Sequence, residues 1–302
     1  MNPQAIPYIV IAGFCFGSSF VASRFGIGQF TPLNYVGLRL TIAGIGYFFI
    51  YLFSKKTWPT GRSLWRHGLV LGLVGTAVPV SCFTFTLLYL SSGLAAIIGA
   101  AGPALTIFLA SFFLTDERLT LGKIGGILLA LGGAALLVLL GETGLPDVTE
   151  GDLTGYVLIF IALLCISFST IYIRKFTQDE NPMDVTSIQV FIGASVLLPL
   201  SLLIDGFPVA LVDWQGVSAL FYSGLVGTLG AFLIYFYSAQ KFGATAAAVT
   251  NYVTPAVSAI AGVIVLGETI TGGMILGILV IVAGIGLINL STQKEDDVVA
   301  AD

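Results

Sequence analysis

The chain has 302 residues, 57% of them hydrophobic and only 9% charged, with a mean hydropathy of +1.00 and a formal net charge of −4. A soluble domain carries roughly 25% charged residues, so the composition excludes one, and the lack of any basic patch excludes a nucleic-acid partner. Cys15, Cys82 and Cys165 lie inside apolar runs without CxxC or metal-ligand spacing and read as small buried residues.

Ten apolar runs follow one another. The first, 6–23, puts Phe16, Ser19 and Ser23 on one helical face beside Ser18; it has no basic leader and counts as a span, not a signal peptide. The second, 34–53, carries Arg39 near its start. The third, 68–90, holds Pro79, Phe83 and Thr86 on one face, with Phe85 and Tyr89 as further aromatics. The fourth, 93–114, is interrupted by Pro103. An elbow, Asp116-Glu117-Arg118, leads to the fifth, 121–140, which opens with Gly122 and Gly126. After the loop-like stretch Gly141 to Asp147 the sixth, 153–173, carries Cys165 and Ser169. The seventh, 185–204, contains Pro199, and the eighth, 215–239, holds Tyr235, Tyr237 and Ser238. The ninth, 244–266, sets Ala247, Asn251, Thr254 and Ser258 on one face and is broken by Pro255; the tenth, 271–290, repeats the glycine pair as Gly273 and Gly277.

Runs of this length cross a bilayer. Backbone groups in hydrocarbon must pair within the segment, so each run is expected to be a helix, and the alternating pattern of a membrane barrel is absent. The runs also repeat. An offset of 151 puts Glu117 on Glu268, Thr120 on Thr271, Gly122 on Gly273, Gly126 on Gly277 and Gly133 on Gly284. An offset of 150 puts Cys15 on Cys165, Ser19 on Ser169, Arg24 on Arg174 and Pro32 on Pro182. An offset of 152 puts Gly72-Leu73-Val74-Gly75-Thr76 on Gly224-Leu225-Val226-Gly227-Thr228. Such matches mark a duplicated unit. Five crossings per unit is odd, so the second copy must enter from the other side. The expected fold is an all-α membrane protein of ten transmembrane helices in two five-helix inverted-topology repeats, 1–141 and 153–291, with an external linker 142–152 and a cytoplasmic tail 292–302.

Loop charge sets the expected orientation. Of the 12 Lys and Arg, all but Arg24 and Arg39 fall on the side of the N-terminus, including Lys55, Lys56, Arg62, Arg66, Arg118, Lys123, Arg174, Lys175, Lys241 and Lys294. The positive-inside rule then puts both termini in the cytoplasm.

Proline breaks the helical ladder, and paired breaks in two halves point to a central binding site. Pro103 and Pro255 form such a pair, with packing kinks as the alternative. Polar faces in lipid should point into the bundle, where Ser18, Ser19, Thr86, Ser169, Ser238 and Thr254 either bond neighbouring helices or face a cavity. Asn251 and Tyr235 favour the cavity, because a buried amide or phenol without an occupant is unfavourable. Phe83, Phe85, Tyr89 and Tyr237 would supply aromatic walls, and Pro79 a further break. The two GxxxG pairs read as close packing of the fifth span on the tenth. No Asp, Glu or His lies mid-span, and His67 sits at an edge, so neither a proton relay nor a hydrolase dyad is evident. No P-loop or metal cluster occurs, and no cofactor or enzymatic activity is expected.

The stretch Phe14-Cys15-Phe16-Gly17-Ser18-Ser19-Phe20-Val21-Ala22, with Arg39, the run Leu90 to Gly133 around Pro103 and Glu117-Arg118-Leu119-Thr120, and the second copy Gly243 to Gly284, resembles the drug/metabolite transporter superfamily, EamA type. Within it the chain is most similar to the YddG amino-acid exporters. The resemblance covers nearly the whole chain and implies export of small metabolites such as amino acids across a bacterial inner membrane. The chain departs from the doubled pattern at Ile166 and Ser167, which stand where the first copy has Phe16 and Gly17. The expected partners are a small-molecule substrate and membrane lipids, and the expected working form is a monomer. The rival reading is a lipid-binding or lipid-translocating protein with no soluble substrate. The orientation makes a prediction: a cysteine replacing Glu150 should react with an impermeant thiol reagent outside intact cells, and one replacing Arg62 should not.

Overall fold

The computed structural model describes residues 3–54, 57–114, 119–146, 148, 151–206, 212–242 and 249–301. Every regular element among them is helical. Nine helices are long and apolar enough to cross a membrane: Ile6–Gly26, Pro32–Phe53, Arg62–Thr86, Ser92–Phe113, Leu121–Leu139, Leu153–Phe176, Pro182–Ile204, Trp214–Tyr235 and Gly272–Thr292. The ninth run of the sequence is instead a shorter apolar helix, Thr250–Leu266; residues 244–248 of its expected span, with Ala247, lie outside the described residues, as do Lys55, Lys56, Glu117, Arg118, Asp147 and Glu150. The chain is an integral membrane protein. In chain order these helices are called the first to tenth spans.

Short polar residues start the spans. Thr31, Ser91, Thr120, Asp152, Asn181 and Asp213 each accept a hydrogen bond from a backbone N–H two or three residues on, and Pro32 and Pro182 follow two of them at the first helical turn. Each cap satisfies a backbone donor that has no partner within the helix.

Three spans change winding. Leu71–Ala77 in the third, Leu225–Gly230 in the eighth and Gly262–Leu266 in the ninth are π-helical. The first two overlap the five-residue identity of the repeat. Pro79 follows the first segment, but Ala231 follows the second, so proline alone does not cause the unwinding. Glycines common to both leave room for a neighbour: a Cβ on Gly75 would lie 2.9 Å from Ser169 Oγ, and one on Gly227 would lie 2.4 Å from Ser19 Cβ. The fourth span bends at Ala100–Ala101, ahead of Pro103.

Packing pairs are well defined. The first span lies on the eighth and ninth, the sixth on the third and fourth, the second on the seventh and eighth, the third on the seventh, and the fifth on the tenth. Glycine contacts give their directions. Gly126 abuts Gly284, and Gly133 abuts Gly277, so the fifth and tenth spans run antiparallel with backbones touching. Gly13 meets Val253 and Gly17 meets Val257, so the first and ninth run parallel. The expected glycine seam is present, with Gly126 facing Gly284 rather than Gly277. Where Gly17 permits backbone approach in the first span, Ser167 in the sixth instead bonds Thr106 Oγ1 of the fourth at 2.9 Å, which accounts for the departure from the repeat there.

A Cβ on Gly126 would sit 2.5 Å from the Gly284 carbonyl oxygen, whereas one on Gly132 would meet nothing within 4 Å. Gly126→Val should therefore lower stability by about 1–3 kcal/mol through overpacking, read as a fall in the thermal unfolding temperature in detergent. Gly132→Val should leave that temperature nearly unchanged.

Candidate functional site

The loops at the end of the bundle opposite the N-terminus are stitched together. Thr31 Oγ1 donates to Asp205 at 2.6 Å, Asp213 N to Gln29 at 3.0 Å, Ser91 N to the Thr143 carbonyl at 2.8 Å and Thr271 Oγ1 to Glu142 at 2.6 Å. A further buried link is made by Glu268. Its carboxylate accepts from Ser92 N and Ser92 Oγ, both at 2.7 Å, and from Gly93 N at 3.3 Å. A negative charge thus caps the start of the fourth span from the end of the ninth. Ser258 Oγ adds a bond to the Ser92 carbonyl at 2.9 Å, and Gly93 lies against Ala259.

Below this clasp the two spans part. Thr250–Ala261 packs on Ser92–Gly99, but the other half of the fourth span, Gly102–Phe113, turns to the sixth and fifth spans. One hydrogen bond, Asn289 to Tyr252 OH at 3.0 Å, ties the ninth span to the tenth. Toward the N-terminal end of the bundle the fourth and ninth spans therefore have different partners, and the gap between them is the candidate site. Asn251, Pro255 and Ser258 recur at helical spacing on the side of the ninth span turned to the fourth, and among the described residues Asn251 makes no side-chain hydrogen bond. Pro103 stands at the bend of the fourth span, and Phe83 packs edge-on against Phe20, 5.5 Å between centroids, beside Gly99. Tyr235 meets Phe16 at 6.2 Å.

Other expected site residues serve packing. Ser18 shares a 2.8 Å hydrogen bond with Tyr222, Thr86 donates to the Gly155 carbonyl at 3.2 Å, and Ser238 and Thr254 bond carbonyls four residues back in their own helices. Pro79 is buried beside the winding change, and Phe85 is half-buried with no ring partner among the described residues. Two aromatics lie away from the gap. Tyr89 sits in the turn after the third span against Gly155, and Tyr237 is exposed at the N-terminal end, where it accepts a 2.8 Å bond from Lys241 Nζ and packs on Tyr8. They were expected as aromatic walls on residue type, which does not give their height along the span.

A polar cluster surrounds the eighth span's π segment. Arg39 donates from Nε to Thr228 Oγ1 at 2.8 Å and from Nη1 to Ser23 Oγ at 3.0 Å, joining the second, eighth and first spans. Tyr35 OH bonds Ser223 just below, and Ser19 Oγ, one turn from Ser23, is buried without a partner. At the matching place in the other half, Ser169 Oγ and Thr76 Oγ1 are also buried without partners, and Gln189 stands where Arg39 would. Sequence reading gave Arg39 and Thr228 no place in a site; the exact five-residue repeat was the signal for them.

A model of the EamA-like transporter family matches residues 4–139 and again 153–290. The chain belongs to the EamA-like transporter family. This EamA-like chain is 24% identical over 277 residues to the uncharacterized transporter YoaV of Bacillus subtilis, covering 92% of this chain and 94% of that one. It is 26% identical over 301 residues to the S-adenosylmethionine/S-adenosylhomocysteine transporter of Chlamydia muridarum, covering 95% and 92%. A solved crystal structure superposes with a TM-score of 0.70 over 97% of this chain and 99% of its own at 19% identity, a likeness of fold.

Glu268→Ala would leave the Ser92 and Gly93 N–H groups unpaired in a buried place. It should lower stability by about 1–3 kcal/mol, seen as a lower unfolding temperature, with Glu268→Gln between it and wild type. An unchanged temperature for Glu268→Ala would show that the clasp does not hold the two spans.

Proposed function

We propose that the chain is a secondary transporter exporting small, net-neutral metabolites, amino acids among them and aromatic or hydrophobic ones included, by alternating access through a central cavity. The observation that carries this reading is the pair formed by the fourth and ninth spans, clasped at one end and apart at the other. In a transporter family, such a gap open to one face is the shape of a carrier with one gate shut. Phe83, Pro103, Tyr235, Asn251 and Pro255 would line it, apolar walls with a few placed polar groups.

The same reading takes the chain as two inverted repeats, 1–141 and 153–291, with the linker 142–152 outside, the tail 292–302 and both termini in the cytoplasm, and the whole in the bacterial inner membrane. Three observations support it. The family pattern occurs once per half. Exchanging the first five spans for the last five turns first–ninth packing into sixth–fourth, first–eighth into sixth–third and second–eighth into seventh–third, while fifth–tenth and second–seventh map onto themselves. The fifth and tenth spans run antiparallel. In this orientation the gap opens to the cytoplasm.

The relative from Chlamydia muridarum is named for S-adenosylmethionine and S-adenosylhomocysteine, and both compounds carry the α-amino carboxylate of an amino acid. Energy coupling follows from what the spans contain. No carboxylate or histidine lies mid-span, and Glu268 is committed to its cap. The carrier therefore moves solute down its own gradient rather than with protons.

Flux of labelled amino acids into proteoliposomes tests the reading. Movement of at least one should be seen, with no uphill accumulation when a pH difference is imposed at zero membrane potential. Asn251→Leu and Tyr235→Ala should cut the flux with protein levels near normal, the loss of one neutral hydrogen bond weakening binding by about 0.5–1.5 kcal/mol. Flux of no soluble solute, with lipid scrambling in the same vesicles, would favour lipid translocation. Accumulation that needs the pH difference and collapses with an uncoupler would overturn the facilitated mechanism.

A further inference from the structure

The polar cluster on the eighth span is rich in donors and poor in acceptors. A guanidinium has five N–H donors. Arg39 spends one on Thr228 Oγ1 and one on Ser23 Oγ. Thr228 passes its own proton to the Ser223 carbonyl at 3.0 Å, so it is saturated. Ser23 accepts from Arg39 and has Tyr35 as a second hydrogen-bond partner. Ser19 Oγ, one helical turn away and against Gly227, the neighbour of Thr228, is buried with no hydrogen-bond partner among the described residues. Among the described residues no carboxylate pairs with Arg39.

A charge inside a bundle is unfavourable unless a counter-charge meets it. Tethering three helices does not require a charge. The other half has the same winding change, with Gln189 at the position of Arg39 and neutral hydroxyls around it. The positive group is therefore an addition to one half of an otherwise matched pair. It also lies at depth: Thr228 is in the middle of the eighth span, where carrier sites are found. The three guanidinium N–H groups without an acceptor among the described residues, with the Ser19 hydroxyl, form a set that an acceptor-rich, negatively charged group completes, and the planar fork of arginine matches a carboxylate in bidentate fashion.

We infer that Arg39, with Ser19 and Ser23 beside it and Thr228 holding it in place, binds the carboxylate of the transported solute. This rests on the reading of the chain as an amino-acid carrier and names the group by which it holds its substrate. The solute remains net-neutral, and the matching position in the other half, Gln189, offers no second cation.

The test uses the full chain in proteoliposomes with labelled phenylalanine as probe, competed by unlabelled phenylalanine or by phenylalaninamide, which lacks the carboxylate. In wild type the acid should compete at least tenfold better than the amide. In Arg39→Gln the flux should fall at least tenfold and the acid-to-amide ratio should approach one; Arg39→Lys, which keeps the charge but loses the fork, should lower the ratio severalfold. If Arg39→Gln does not fold, as judged by thermal unfolding, Arg39→Lys and the wild type carry the test: phenylalanine, and not its amide, should raise the wild-type unfolding temperature. A folded variant that keeps the wild-type ratio overturns the inference while leaving amino-acid transport standing. A wild type that moves no amino acid overturns the transport reading itself.

Discussion

The shape of this molecule turns on one carboxylate. Glu268 reaches from the end of the ninth span to the first two amides of the fourth, replacing the water those donors would otherwise require. A fixed negative charge at a helix start is favoured by the helix dipole, and burial removes the competition of solvent. With this end of the pair clasped, the remainder of the fourth span packs on the sixth, and the ninth on the first. The parting of the two spans follows from where they are joined.

The wound-out turns serve the same economy of backbone groups. In hydrocarbon an irregular turn persists only where protein or a lined cavity satisfies it. Both long π segments lie where a serine of a neighbouring span presses on a glycine, Ser169 on Gly75 and Ser19 on Gly227, and both bring a threonine inward. π turns are frequent at functional sites. Here they set Thr228 under the guanidinium of Arg39 in one half and leave Thr76 unpartnered in the other.

Much of the fold could be read from residue order. Thr31-Pro32 and Asn181-Pro182 announce helix starts, and the spans follow from apolar length. The glycine pairs anticipated the fifth–tenth seam because only backbone contact needs glycine on both sides. The site was less legible. Periodicity reports which side of a helix a residue occupies, not which neighbour stands there, and residue type reports less: Tyr89 and Tyr237, expected as aromatic walls, lie at opposite ends of the bundle. Arg39 was read as a charge near a span's edge and as part of the family resemblance, not as a site residue; its long side chain carries that charge away from its own helix to the middle of the eighth.

The glycine seam has a consequence for biogenesis. The fifth span leaves the ribosome well before the tenth, since synthesis proceeds from the N-terminus. During that interval the groove at Gly126 and Gly133 has no protein partner, and acyl chains must occupy it. Completion of the bundle then requires the last helix to displace lipid from a narrow notch that no other span is shaped to fill. Truncation ahead of Gly272 would leave the first half inserted but unsealed, a species for the quality-control proteases of the membrane.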